Sequence, residues 1–414
     1  TGRTLNMNPD NNKVHDLGPT SIFEFVLLMA ATMSLVALCI DAMLPAFPDM
    51  ARDLSIASSN ETQLIISLMF IGLALGQLFY GPLSDSIGRK PAIHAGYAIL
   101  IAGLLVSMFA ESFTVMLAGR FLQGFGAAGP RTVAMALIRD RFHGSEMARI
   151  MSFIMTVFIL VPILAPAVGQ GILLFSGWSA IFGFIIVFSL VVQAWFSYRQ
   201  PETLLVDQRR PFTMVSIAKG FLEVVRNVPA MVYTLVAGSV FGGFMGYLNS
   251  CQQIFQVQYG LGKLFPVFFG GLAFSAGIAA IINGNLVMRF GMHALTYRAL
   301  YAITALSWLL FLISWLADGH PPLWQFMTVC VAWFFFIGVV FGNINAMAME
   351  QLGHVAGSAA AVIGTATTLM AVGLGYVIGN AYDGTLGPMT AGFAILTSIS
   401  VLLTLLVATP DHPG

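Results

Sequence analysis

The chain has 414 residues, of which 58% are hydrophobic and only 9% are charged. Soluble domains carry about 25% charged residues, so the composition excludes an ordinary aqueous globule and indicates a polytopic membrane protein. Eighteen basic and eighteen acidic residues cancel, which removes any general attraction to nucleic acid. Cys39, Cys251 and Cys330 lie in apolar runs without pairing or metal-ligand spacing and read as small core residues. The seven His are scattered, so neither a metal centre nor a catalytic cluster is expected, and no cofactor is implied.

Residues 1–20 are polar and predict a flexible tail, and the apolar run after them is too long for the h-region of a cleavable leader. Twelve apolar windows then follow, at 22–44, 62–82, 92–110, 113–138, 149–174, 178–198, 230–255, 264–288, 294–317, 323–349, 357–381 and 388–408. Each is about 20 residues or more, long enough to cross a bilayer as a helix. The polar stretch 199–229 separates six spans over 21–198 from six over 230–408, with a tail at 409–414. Within that linker, Val215 to Val225 alternates at helical spacing and predicts an amphipathic surface helix. With the N-terminus placed inside, fourteen Lys and Arg fall in the inner segments and only Arg52 and Lys263 in the outer loops. The bias predicts a multi-pass protein of the cytoplasmic or inner membrane with both termini cytoplasmic.

In the first span, Asp41 lies 17 residues after Glu24, about 25 Å further along the helix. It stands shortly before Pro45 and Pro48. One reading is an acid near a helix end. The other is a carboxylate facing a central cavity and alternating between charged and protonated states, because a charge at mid-membrane needs a partner or a task.

Between spans 2 and 3 runs Gly81-Pro82-Leu83-Ser84-Asp85-Ser86-Ile87-Gly88-Arg89-Lys90-Pro91. Gly81 and Gly88 suit close packing and a reversal, and Arg89 and Lys90 hold the turn on the basic side. The string resembles the signature loop between helices 2 and 3 of the major facilitator superfamily. A degenerate copy, Gly284 to Gly291, recurs at an offset of 203 residues, with Met288 in the place of Asp85. The resemblance implies two pseudo-symmetric bundles of six transmembrane helices around a central site, an all-α integral membrane fold.

Span 4 carries Arg120-Phe121-Leu122-Gln123-Gly124, similar to the Arg-x-x-Gln-Gly run of helix 4 in that superfamily. Arg120 is expected at a depth near that of Asp41, where the two could form a proton-coupling pair. Arg131 and Arg139, further down the span, are expected partners for Asp85 in a conformational latch, with the start of span 11 near Ser358 as an alternative. Span 5 contains Pro162, Pro166 and Gly169 and predicts a hinge. It resembles the Gly/Pro-rich helix of the antiporter branches, with Ala165 and Gln170 standing where glycines are usual.

Asp41 to Pro48 resembles the helix 1 ending of twelve-span drug:proton antiporters, and Met349 to Ala359 the helix 10–11 link of the Bcr/CflA group. Some related exporters carry a second acid where this chain has Met33 and Ala37. The resemblance implies a monomeric multidrug exporter working by alternating access. Its partners are small amphiphilic substrates, protons and the lipid bilayer, with the proton gradient as the energy source. A dedicated exporter of one metabolite and a proton-coupled uptake symporter are the alternatives. Polar residues within spans supply candidate cavity groups: Gln77, Tyr80, Tyr247, Asn249, Gln253, Asn343, Asn345, Thr367 and Tyr376.

Overall fold

The computed structural model describes residues 21–209, 211–212 and 214–407. The expected tails at 1–20 and 409–414 lie outside the described residues. The first set of long helices comprises α1 (Ile22–Asp41), α3 (Leu64–Ile87), α4 (Arg89–Met108), α5 (Phe113–Arg141), α6 (Gly144–Leu173) and α7 (Ser179–Arg199), with a short α2 (Phe47–Asp53) after α1. A linker helix α8 (Met214–Arg226) leads to α9 (Val228–Gln252), α10 (Phe265–Phe290), α11 (Met292–Leu316), α12 (Leu323–Met349), α13 (Ala356–Asn380) and α14 (Gly387–Leu405). The helices begin where the sequence offers a cap. Ser21, Ser112 and Asn227 each accept a hydrogen bond from a backbone N–H three residues on, satisfying a donor the helix leaves open.

Among the described residues, eleven helical segments are long and apolar enough to cross a membrane. The fourth predicted span is the exception, because α5 carries Arg120, Arg131, Arg139, Asp140 and Arg141. Its 29 residues nevertheless run along α3 and α4 through glycine contacts. A Cβ at Gly124 would collide with the Met69 carbonyl of α3, and one at Gly126 with the Leu100 backbone of α4. Such close approach replaces the hydrophobic drive that lipid cannot supply between helices.

The repeated hairpin turns use the same backbone device. α3 ends at Gly88 with φ +108°, and α10 ends at Gly291 with φ +77°. Only glycine adopts that region at little cost. The linker helix lies where the alternation predicts it, and its Gly220 packs on Ser358 of α13.

The two sets of helices meet along α3 against α13 and α6 against α10. Hydrogen bonds that cross between them gather away from the basic loops. Asn60 Nδ2 donates to Asn380 O (3.1 Å) and Tyr382 O (2.9 Å), and Gln253 Nε2 donates to Asn60 Oδ1 (2.8 Å). Deeper in, Thr365 Oγ1 donates to Ala74 O at 2.8 Å. This opposite end is closed. Toward the basic end the facing surfaces open, with Leu27 38% exposed on α1 and Arg131 exposed on α5.

Gly124→Val is expected to destabilise the protein by about 1–3 kcal/mol through overpacking against α3. Gly171→Val, where nothing lies within 4 Å of an added Cβ, leaves stability unchanged. Thermal midpoints of the two purified variants in detergent check the contrast.

Candidate functional site at the junction of the two helix sets

Asp41 closes a stripe on α1 formed by Leu27, Ala31, Ser34, Leu38 and Asp41, one face of the helix. The stripe is open at Leu27 and buried at Asp41, which is 6% exposed. Asp41 is the last residue of α1, where the helix dipole opposes a negative charge. It is therefore a poor cap. It lies close enough to Tyr247 and Cys251 of α9 to act on both electrostatically. Among the described residues, no hydrogen bond or ion pair holds its carboxylate.

Arg120 does not pair with Asp41 in this conformation. Its Nε donates to Ile65 O (2.9 Å), and its Nη1 donates to Cys39 O (2.9 Å) and Gln123 Oε1 (2.8 Å). Gln123 in turn donates to Gly103 O and to Ser107 Oγ. The guanidinium thus ties α5 to α1 and α3 through backbone carbonyl oxygens, and Gln123 extends the tie to α4. The expected depth agrees, since Cys39 and Asp41 are neighbours on α1. The direction differs, because residues two apart on a helix point about 200° apart.

Several buried polar atoms near this junction have no hydrogen-bond partner in the protein: Ser34 Oγ and Ser67 Oγ in the first set, and Tyr247 OH, Asn249 Oδ1, Ser250 Oγ and Thr367 Oγ1 in the second. Buried polar groups are ordinarily satisfied, and these six are not satisfied by the described residues. Of the other expected cavity residues, Tyr80 is buried against Gly129 and Phe125. Gln77 faces Gly364 across the junction. Asn343 exchanges hydrogen bonds with Asn283 at 2.9 and 3.0 Å, which spends both amides within the second set. Asn345 is exposed and donates to Phe341 O, and Tyr376 is half-buried.

The latch is rearranged relative to expectation. Asp85 accepts from Arg89, four residues on, instead of from Arg131 or Arg139. Arg89 also donates to Asp140 of α5 at 2.9 Å. Glu202 in the linker accepts from the backbone N–H of Arg89 (2.9 Å) and Lys90 (3.0 Å), capping α4. Ser358 bonds Val355 O locally. Neither Asp140 nor Glu202 is assigned a partner by the sequence, although an acid set between Arg139 and Arg141 is a usable signal. Gly81 has open space around it. α6 is helical through Pro162 and Pro166, and Gly169 lies in close contact with the Ala42 carbonyl beside Asp41. Glu24 lies at the basic end, held by Arg199 and Trp195.

Residues 29–375 match the family model of the Major Facilitator Superfamily. The chain belongs to that superfamily. It is a multi-pass membrane transport protein and not an enzyme. It is 31% identical to the uncharacterized MFS-type transporter YdgK of Bacillus subtilis over 84% of this chain and 85% of that one. It is 32% identical to the bicyclomycin resistance protein homolog of Haemophilus influenzae over 92% and 95% of the two chains. Multidrug resistance protein D of Escherichia coli is 27% identical over 78% and 79%. A structure of the xylose transporter XylE from E. coli, in a partially occluded inward open conformation, superposes with TM-score 0.75 at 11% identity. That superposition covers 95% of this chain and 99% of the other, and the likeness concerns the fold.

Glu202→Ala removes the acceptor for four backbone N–H groups, those of Arg89, Lys90, Thr203 and Leu204. It is expected to lower stability by about 1–3 kcal/mol, read as a fall in thermal midpoint, whereas Glu202→Gln retains part of the cap.

Proposed function

We propose that this transporter exports small amphiphilic compounds, antibiotics among them, in exchange for protons, by alternating access. The names of the relatives support the substrate class: a bicyclomycin resistance homolog and a multidrug resistance protein. The observation that carries proton coupling is Asp41 itself, a buried acid at the boundary of the two helix sets without a basic partner among the described residues.

An ionised carboxylate at mid-membrane costs about 2.5–3.5 kcal/mol on insertion scales, and more when its neighbours cannot move to solvate it. In the conformation described, Asp41 therefore carries a proton. When the two sets rock apart at their closed end, α9 withdraws from Asp41 and water reaches it. The carboxyl then exchanges its proton with that side. On return, the basic end opens and the proton leaves through the cleft along the α1 stripe. Arg120, locked to Cys39 O, acts as a positioning residue that holds the end of α1 while Asp41 changes charge. The junction's unpartnered hydroxyls and amide offer hydrogen bonds to a substrate's polar groups within an otherwise apolar cavity. The basic excess assigns the open end to the cytoplasm, so uptake of substrate begins on the inside.

Asp41→Asn removes the titrating proton and keeps the shape. In proteoliposomes under an imposed pH gradient, wild type is expected to move several unrelated compounds against the proton flow. Asp41→Asn loses gradient-driven movement and stays within about 1 kcal/mol of wild-type stability, since a neutral amide replaces a buried acid. Full gradient-driven flux in that variant contradicts the coupling role, and movement in the same direction as protons contradicts export.

A further inference from the structure

Arg131 sits on the interior face of α5, yet no group among the described residues neutralises it. The stripe Arg120, Gly124, Ala127 and Arg131 repeats at helical spacing, and Arg120 and Arg131, 11 residues apart, point within about 20° of one another. Arg120 bonds backbone atoms of α1 and α3, and Gly124 abuts α3, so this face looks into the bundle. The exposed Ala118 of α5 lies about 140° away around the helix. Arg131 lies on that interior face and is still exposed, so it faces the cleft that opens toward the basic end.

Its depth is intermediate. Arg120 is level with Cys39, and Arg141 lies over the Phe25 ring at 5.3 Å. Arg131 falls between them, about 16 Å below Arg120 along the axis. Asp41 lies beyond Cys39, so it is out of reach as a counter-ion. Asp85 and Asp140 are taken by Arg89. Among the described residues no hydrogen bond or ion pair holds Arg131.

A guanidinium in the middle of a membrane protein is costly unless it is solvated or paired, and its planar fork fits a carboxylate or sulfonate with two parallel hydrogen bonds. We propose that Arg131 is a substrate-binding residue that receives the anionic group of a transported compound, extending the substrate class to amphiphilic anions. The inference rests on the transport reading of the cleft and not on proton coupling.

The test compares two dyes of one ring skeleton and opposite charge, the fluorescein dianion and cationic rhodamine 6G. Equilibrium binding to the purified full chain is followed by fluorescence anisotropy in detergent at neutral pH, which needs no gradient. Wild type is expected to bind fluorescein. Arg131→Gln binds it at least about tenfold more weakly, and Arg131→Lys recovers part of the loss because it keeps the charge without the fork. Rhodamine 6G binding holds steady or strengthens in Arg131→Gln. Equal weakening of both dyes shows a structural role and overturns the proposal, as do unchanged fluorescein binding in Arg131→Gln and no binding of fluorescein by wild type. Charge-selective binding without gradient-driven flux overturns proton coupling and leaves the anion site standing.

Discussion

Inside a bilayer a charge must find its own solvation, and in this protein one arginine finds it in backbone carbonyls. Arg120 spends its fork on Cys39 O, Ile65 O and Gln123 Oε1. The consequence is that Asp41, two residues from Cys39, is left without that cation. A salt bridge there would have frozen the carboxyl in one charge state. In the proposed mechanism, separation lets the same arginine brace the end of α1 while the acid changes charge. The glycines that bring α5 against α3 and α4 serve the same arrangement, because a guanidinium reaches carbonyl oxygens on two neighbouring helices only when their backbones lie close.

The two ends of the molecule are held by different means. The closed end relies on neutral amides, with Asn60 bridging Asn380, Tyr382 and Gln253. Such bonds are of modest strength and exchange readily with water, which suits an end that opens in the proposed cycle. The basic end of the first set is held by a charged knot of Asp85, Arg89, Asp140 and the capping Glu202. That knot joins α3, α4, α5 and the linker within one set, so the set can move as a body. The π-helical turn Gln253–Gln258 at the end of α9 places a local irregularity beside the Asn60 bridge. π-turns recur at functional positions in helices.

Most of the fold was legible in the sequence, because a bilayer imposes one demanding length and one composition on every span. The two-fold repeat was legible for the same sort of reason: Gly88 and Gly291 answer a backbone requirement that no other residue meets cheaply. Asp41, Arg120 and Asp85 stood out because charge is scarce in such a chain. Their partners were not legible. Pairing depends on helix rotation and on side-chain reach, and neither is encoded in depth alone. Arg120 and Asp41 share a depth and differ in direction, while Asp85 meets Arg89 in place of the two arginines of α5. Asp140 and Glu202 passed unnoticed because charges near the surface are common. The close approach of Gly169 to the carbonyl of Ala42 was not legible either, because a glycine that admits a neighbouring backbone looks the same in sequence as one that permits a bend.

Proton coupling as proposed turns on the charge of a single side chain, which can be observed without any transport assay. Infrared difference spectroscopy of the purified protein at neutral pH, wild type against Asp41→Asn, reports the carbonyl stretch of a protonated carboxyl. The account predicts such a band in wild type, absent from Asp41→Asn and altered when a transported compound is added. Matching spectra in that region would mean that Asp41 is ionised in this conformation, and the coupling mechanism would be contradicted.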